Sequence, residues 1–285
     1  MKKKLIGILA LSALLIVAGC GSKDASSNKT SSGAQKIVIG STGSDAQIWK
    51  HIAASQGAKD ANLQIEVKEI EGGVETNNAT KEGEVDVNAF QSWAYLVSYN
   101  KDSKANLTAV ATTYLEPMGV YSQKVKDIKD VPDGALVALA DNPANTARGL
   151  NLLQASGLIK LKSDFNAATG TVNDITENTK NLKFELIDDT TGPRVIQDVD
   201  FVLIGNTIAL EGGLNVLKDA LFHEEISEDT RNNINVLVTT EDKKNDLGIL
   251  KLGELYHSED TQKYIEAEFG GTKVAVNKPI SYLEQ

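Results

Sequence analysis

Cysteine is nearly absent: the chain of 285 residues holds one, Cys20. No intramolecular disulfide can form, and stability must come from the core. Histidine is scarce as well. His51, His223 and His257 lie on separate segments, none in a His-Glu-x-x-His or comparable ligand spacing, and they read as surface or helix residues rather than a metal centre. A G-x-S-x-G elbow is missing, as are a G-x-x-x-x-G-K-[ST] loop and a G-x-G-x-x-G fingerprint after a strand. Acidic pairs such as Asp188-Asp189 and Glu224-Glu225 read as solvated. Nothing assembles an acid, a base and a nucleophile, so no catalytic residue and no cofactor is expected. Basic residues are the minority, 29 against 39 acidic. That balance repels phosphate backbones and argues against nucleic acid as a partner, while it serves solubility.

A bilayer-length apolar run is also missing. Leu5 to Val17 is apolar for about 13 residues, interrupted by Gly7 and Ser12. Roughly 20 are needed to span a membrane as a helix. Lys2, Lys3 and Lys4 precede this run, and Val17-Ala18-Gly19-Cys20 follows it. A charged start, a short apolar stretch and small residues at the end make a secretory signal over residues 1–19. The lone cysteine falls at the cleavage point and resembles the lipobox of bacterial lipoproteins, so Cys20 is expected to be lipidated and to become the mature N-terminus. Removing the leader takes three lysines and moves the net charge from −10 to −13. Gly21 to Gln35 is rich in Ser, Gly, Asn and Lys without large apolar side chains. Such a stretch cannot offset its ordering entropy, and residues 20–35 read as a lipidated flexible tether.

The remaining 250 or so residues suffice for one or two cores. Lys36–Gly40 reads as a buried strand, Ala46–Gln56 as a helix and Leu63–Ile70 as an alternating strand. A short helix is expected around Asn77–Glu82, then a strand over Val85–Ala89, a helix over Phe90–Tyr99 and a strand over Leu107–Tyr114. The pattern restarts with strands ending at Ser122, over Ala135–Ala140, Phe184–Ile187 and Phe201–Ile204, with a helix over Thr146–Ser156 closed by Gly157 and a helix start at Pro193-Arg194. Ile234–Thr239 is a final strand before helices over Asp246–His257 and Thr261–Phe269. Alternating strands and helices with short connections signal α/β sheets. No repeat of 20 to 50 residues appears. Two α/β sections plus a C-terminal return fit two lobes, one of 36–117 with 229–285 and one of 118–228.

Binding signals gather at strand-to-helix junctions, where open α/β sheets hold ligands. Phe90-Gln91-Ser92-Trp93-Ala94-Tyr95 concentrates three aromatics in a chain with only 5% of them. Aromatics there supply the apolar wall of a pocket, and Phe90 and Tyr95 serve equally well as core. Asp141 to Arg148 follows the strand ALVALA and combines turn residues, a helix start and a lone arginine read within the first turn. A cation is disfavoured at a helix N-terminus unless an anion is near. The anion is either a ligand carboxylate, which an arginine fork matches in bidentate geometry, or Asp141 or another acid of the chain. Ile204-Gly205-Asn206-Thr207 is a third strand end with small polar groups. Three such junctions can converge on one cleft.

The stretches VDVNAFQSWAYLVSYN (85–100), PMGVYSQKVKDIKDVPDGALVALADNPANTARGLNLLQASGLIKLK (117–162), TVNDITENTKNLKFELID (171–188) and GPRVIQDVDFVLIGNTIALEGGL (192–214) strongly resemble the NLPA-type methionine-binding lipoproteins. The resemblance covers about residues 36–270. It implies a type-II periplasmic-binding-protein fold, two α/β lobes closing on a ligand, and delivery to the permease of a methionine ABC importer from a lipid anchor on the extracytoplasmic face of the cell membrane. It places the family's carboxylate-binding arginine at Arg148 with Asn145 beside it, the aromatic positions at Phe90 and Tyr95, and the asparagine-bearing strand end at Gly205 to Thr207. Trp93, gained in this chain, with Asn206 and Thr207 completes the expected ligand set. The departures are Ser92, Trp93 and Ala94 in the aromatic block, Gly72 and Gly73 where a tyrosine is usual, and Gly205-Asn206-Thr207-Ile208 in place of N-x-N-Y. The carboxylate anchor is kept while side-chain contacts change. That predicts an amino-acid or short-peptide binder with a reshaped, enlarged pocket whose ligand need not be methionine. A hydrolase or isomerase using the cleft and a surface adhesin reusing the fold are the rival classes.

Overall fold

Short β-branched runs that end in glycine or polar residues become the strands of two five-stranded sheets in the computed structural model, which describes residues 33–284. The expected leader, Cys20 and most of the tether lie outside the described residues. The tether's last residue is not loose: Gln35 opens the first strand, its backbone N–H donating to Asn62 O and its Nε2 to Asp246 Oδ1.

The first sheet is built from β1 (Gln35–Ser41), β2 (Leu63–Glu69), β3 (Val87–Ser92) and β4 (Leu107–Thr112). The chain then passes to a second sheet of β5 (Met118–Tyr121), β6 (Leu136–Ala140), β7 (Lys183–Ile187), β8 (Phe201–Gly205) and β9 (Phe222–His223). It returns as β10 (Asn235–Thr240), which enters the first sheet between β3 and β4 and runs antiparallel to both. Within each sheet three strands are parallel: β2, β1 and β3 in one, β7, β6 and β8 in the other. In the second sheet β5, the first strand after the crossing, is the antiparallel partner of β8. Each sheet therefore carries an antiparallel strand delivered by the chain as it crosses from the other.

Both faces of each sheet are covered, which is why strands such as β6 and β8 are apolar almost throughout and the polar side chains of β3, Asn88 and Gln91, are themselves buried. Successive side chains point to opposite faces. Thus Leu237 joins Ile37, Ile39, Trp49 and Tyr256 on one side, while Val236 and Val238 join Leu96 and Tyr99 on the other. In the second sheet Phe201 and Leu203 pack with Leu139 and Leu150, and Val202 and Ile204 with Tyr121 and Ile196.

The flanking helices are α1 (Gly43–Ala54), α2 (Gly73–Lys81), α3 (Trp93–Ser103), α4 (Pro143–Ala155), α5 (Asn206–Glu211), α6 (Leu247–Tyr256) and α7 (Glu259–Phe269). Several helix starts differ from the sequence reading, and three of them have a local reason. Strand β3 continues to Ser92 because Gln91 and Ser92 pair with Val236 and Asn235, and the Ser92 hydroxyl then caps α3 by accepting from Tyr95 N. Helix α2 begins at Gly73, after Gly72 at φ 89°, with no side-chain cap to announce it. Helix α4 begins at Pro143, because Asn142 caps it by accepting from Asn145 N and proline suits the first helical position. Arg148 therefore sits in the second turn of α4, where the field of the helix end has faded. The expectation that it is disfavoured by that field is corrected.

Candidate ligand-binding site

The carboxyl ends of the parallel strands from both sheets face one cavity of about 110 Å³. The first sheet and its connections supply Thr42 after β1, Gly72 and Gly73 at the start of α2, Phe90 to Ser92 at the end of β3, Tyr95 and Asn235. The second supplies Asn145 and Arg148 from α4, Asp189 and Thr190 after β7, Gly205, Thr207 and Ile208, and Glu116 lies on the crossing segment between the sheets.

Phe90 and Tyr95 form the apolar wall, with rings 5.9 Å apart at 75° in an edge-to-face arrangement. Burial pushes the Tyr95 hydroxyl up, and the negative charge of Asp189 adds to it. Gly73 makes this wall possible. A methyl group there would lie 2.8 Å from Tyr95 Cζ and 3.1 Å from Phe90 Cε2. The room released by glycine at position 73 is occupied by Tyr95. Behind the wall, Gln91 is locked in a buried amide network: its Nε2 donates to Asn77 Oδ1 at 2.6 Å and Asn88 Oδ1 at 2.7 Å, and Asn88 Nδ2 donates to Thr80 Oγ1 at 2.6 Å.

Arg148 reaches the cavity but is already paired. Its Nε donates to Glu224 Oε1 at 2.8 Å and Oε2 at 3.0 Å, and its Nη2 to Glu224 Oε2 at 2.5 Å and Glu116 O at 2.8 Å. The two side chains are 10% and 12% exposed. Burial would lower the guanidinium, but Glu224 outweighs it and the pKa is raised. The anion near Arg148 is thus another acid of the chain, though not Asp141. Its Nη1 makes no hydrogen bond to the described residues. Glu224, read from sequence as solvated, also accepts from Met118 N at 2.8 Å.

Of the other expected residues, Phe90, Tyr95, Asn145 and Thr207 line the cavity. Trp93 does not. As the first residue of α3 it joins the cluster of Leu96, Tyr99, Leu115 and Ile234 on the far face of the first sheet. Asn206 does not line it either: fully buried, its Nδ2 donates to Glu116 Oε2 at 3.0 Å.

A buried charge network not foreseen from sequence joins the two sheets beside the cavity. Lys273, fully buried, donates to Glu116 Oε2 at 2.9 Å, Asp45 Oδ1 at 3.2 Å and Thr207 Oγ1 at 2.8 Å, and lies 4.0 Å from the centre of the Tyr114 ring. Tyr114 donates to Asp45 at 2.7 Å and Ser44 Oγ to Thr207 Oγ1 at 3.2 Å. Burial alone would push Glu116 up; Lys273, Asn206 and Thr207 hold it below the usual carboxylate range. Burial wins at Asp45, which is raised despite Lys273. The lysine is raised by the two carboxylates against its own burial.

Asp189 was also read as solvated and is not. Its Oδ2 accepts from Asn145 Nδ2 at 2.7 Å and Asn142 Nδ2 at 3.2 Å, and it lines the cavity. The three histidines stay apart: His51 on Asp260, His223 on Glu224 O and His257 on Thr112 O. No set of three or more metal-binding side chains comes together among the described residues.

Two sheets with exchanged antiparallel strands and a cleft at their carboxyl ends define a type-II periplasmic-binding-protein fold, the architecture of solute-binding proteins. Residues 37–277 match the family model described as NlpA lipoprotein. The chain is 32% identical over 273 residues to a probable D-methionine-binding lipoprotein MetQ of Pasteurella multocida, covering 94% of this chain and 96% of that one. A nutrient-binding protein from Burkholderia cenocepacia, solved bound to methionine, superposes with a TM-score of 0.79 at 34% identity, over 85% of this chain and 99% of that one. The substrate-binding protein of a methionine transporter from Streptococcus pneumoniae gives 0.78 at 32% identity, over 85% and 95%. The protein belongs to the NlpA lipoprotein family of solute-binding proteins.

Proposed function

We propose that this lipoprotein, anchored through Cys20 on the extracytoplasmic face of the cell membrane, captures methionine or a closely related amino acid and delivers it to the permease of an ABC importer. It binds and releases its ligand unchanged. The lobes are 36–117 with 229–285 and 118–228, and the chain segments that cross between them act as the hinge. The observation that carries this reading is the cavity itself: Arg148 Nη1, without a hydrogen bond to the described residues, and Phe90 and Tyr95 as an apolar wall line one small space. Since the ligand would touch elements of both sheets, its binding favours the closed arrangement over the open one. Native mass spectrometry of the freshly purified protein tests this. The reading expects a co-purified mass equal to an amino acid, released on partial denaturation. A bound peptide or nucleoside would contradict it.

A further inference from the structure

The cavity wall holds one carboxylate, Asp189, that forms no ion pair with a cation among the described residues. After β7 the backbone turns through Asp188 to Thr191, with Asp188 accepting from Thr190 N at 3.0 Å and Thr190 Oγ1 at 2.7 Å. That turn delivers Asp189 to the cavity. Its Oδ2 is held by two amides, Asn145 Nδ2 at 2.7 Å and Asn142 Nδ2 at 3.2 Å. Its Oδ1 makes no hydrogen bond to the described residues. The two buried cations nearby are committed elsewhere, Arg148 to Glu224 and Lys273 to Asp45 and Glu116. The surroundings add negative rather than positive charge. Burial pushes the Asp189 carboxyl up, the two amides oppose it, and Asp188 and Asp141 reinforce the rise. A desolvated carboxylate without a counter-charge is costly, and a cation brought by a ligand relieves that cost.

Placement says which cation. Asn145, which holds Asp189, and Arg148 are three residues apart on α4, hence neighbours on one helix face. An acceptor with spare capacity and a guanidinium nitrogen with a spare N–H thus line the same side of one small cavity. An α-amino acid carries its ammonium and carboxylate on a single carbon, and this pair of groups complements it.

We propose that Asp189 receives the ammonium group of the bound amino acid and makes a primary amine a condition of binding. The proposal rests on the amino-acid reading above and adds to it the residue that selects for the amine.

Calorimetric titration of the purified protein with methionine and with its 2-hydroxy acid, in wild type and in Asp189→Asn, tests it. Wild type should prefer methionine by about 100-fold or more, and Asp189→Asn should lose at least about 30-fold for methionine while changing little for the hydroxy acid. The preference between the two ligands, not the affinity alone, is the readout, because a merely structural role would weaken both together. Asp189→Ala should compress the same ratio, so the test survives if one variant folds poorly. An unchanged preference in a folded variant overturns the role of Asp189 and leaves the amino-acid reading standing. Failure of wild type to bind any common amino acid overturns both.

Discussion

Replacing Glu224 by glutamine isolates the electrostatic core of the site. The carboxylate is 12% exposed, accepts three hydrogen bonds from Arg148 and one from Met118 N, and is the only side-chain acid within ion-pair distance of that arginine among the described residues. Two unit charges about 4 Å apart attract by about 4 kcal/mol at an effective dielectric of 20. Removing one member of a buried pair leaves the other desolvated and costs about 3–5 kcal/mol. Urea unfolding of Glu224→Gln without ligand should therefore show a loss of about 3–5 kcal/mol, as should Arg148→Ala. The double variant should lose less than the sum of the two, because no uncompensated charge remains. Raising the salt should change the wild-type value little, since buried pairs are weakly screened. Glu224→Gln should also bind a carboxylate ligand more tightly than wild type, with a competing anion gone, whereas Arg148→Ala should lose about 2–5 kcal/mol of binding. A stability loss below about 1 kcal/mol in either single variant would put the pair in the class of solvated surface bridges and refute the reasoning.

Three further outcomes follow from the same geometry. Lys273→Met strands Asp45 and Glu116 and should cost about 3–5 kcal/mol by chemical denaturation. Because the folded pKa of Lys273 is raised, its contribution is fully present below the ordinary lysine value of about 10.4 and is lost as pH rises through the raised value, so wild type should weaken on that alkaline side and the variant should not. Gly73→Ala should cut ligand affinity about tenfold by displacing Tyr95, with little effect on melting temperature, since alanine favours the helix by about 0.5–1 kcal/mol; unchanged affinity by calorimetry would remove Tyr95 from the wall. Trp93→Phe should leave affinity within about twofold, because the side chain belongs to the far core cluster, and should lower the melting temperature through lost packing worth about 1 kcal/mol.

The local grammar of the chain exposed most strands, because a doubly covered sheet writes its strands as apolar runs such as KIVIG, ALVALA and FVLIG bounded by turn residues. It misplaced starts where the signal was a glycine pair, as at Gly72-Gly73, or an Asx-proline cap, as at Asn142-Pro143. The site was half legible. Tyr95, Asn145, Arg148 and Thr207 follow strand ends and Phe90 lies near the end of β3, the positions where open α/β sheets place their clefts, and all five line the cavity. The partners of those residues were not legible, because they are fixed by tertiary contact over long separations. Glu224 meets Arg148 across 76 positions, and Lys273 meets Asp45 across 228. Asp189 and Glu224 each stand in an acidic pair that looks like ordinary surface, and only the packing around them shows a carboxylate withdrawn from water. Trp93 failed for the opposite reason: composition made it conspicuous, while the strand register through Ser92 sends it to the other face of the sheet.

The central claim is that a trapped amino acid neutralises what the cavity leaves unsatisfied. A crystal structure of the protein with its co-purified or added amino acid measures this directly. The account predicts the ligand carboxylate within hydrogen-bond distance of Arg148 Nη1 and its side chain against Phe90 and Tyr95, with the Arg148–Glu224 pair intact. A ligand bound outside this cavity, or one whose carboxylate is held by other groups while Arg148 contacts only Glu224, would contradict it.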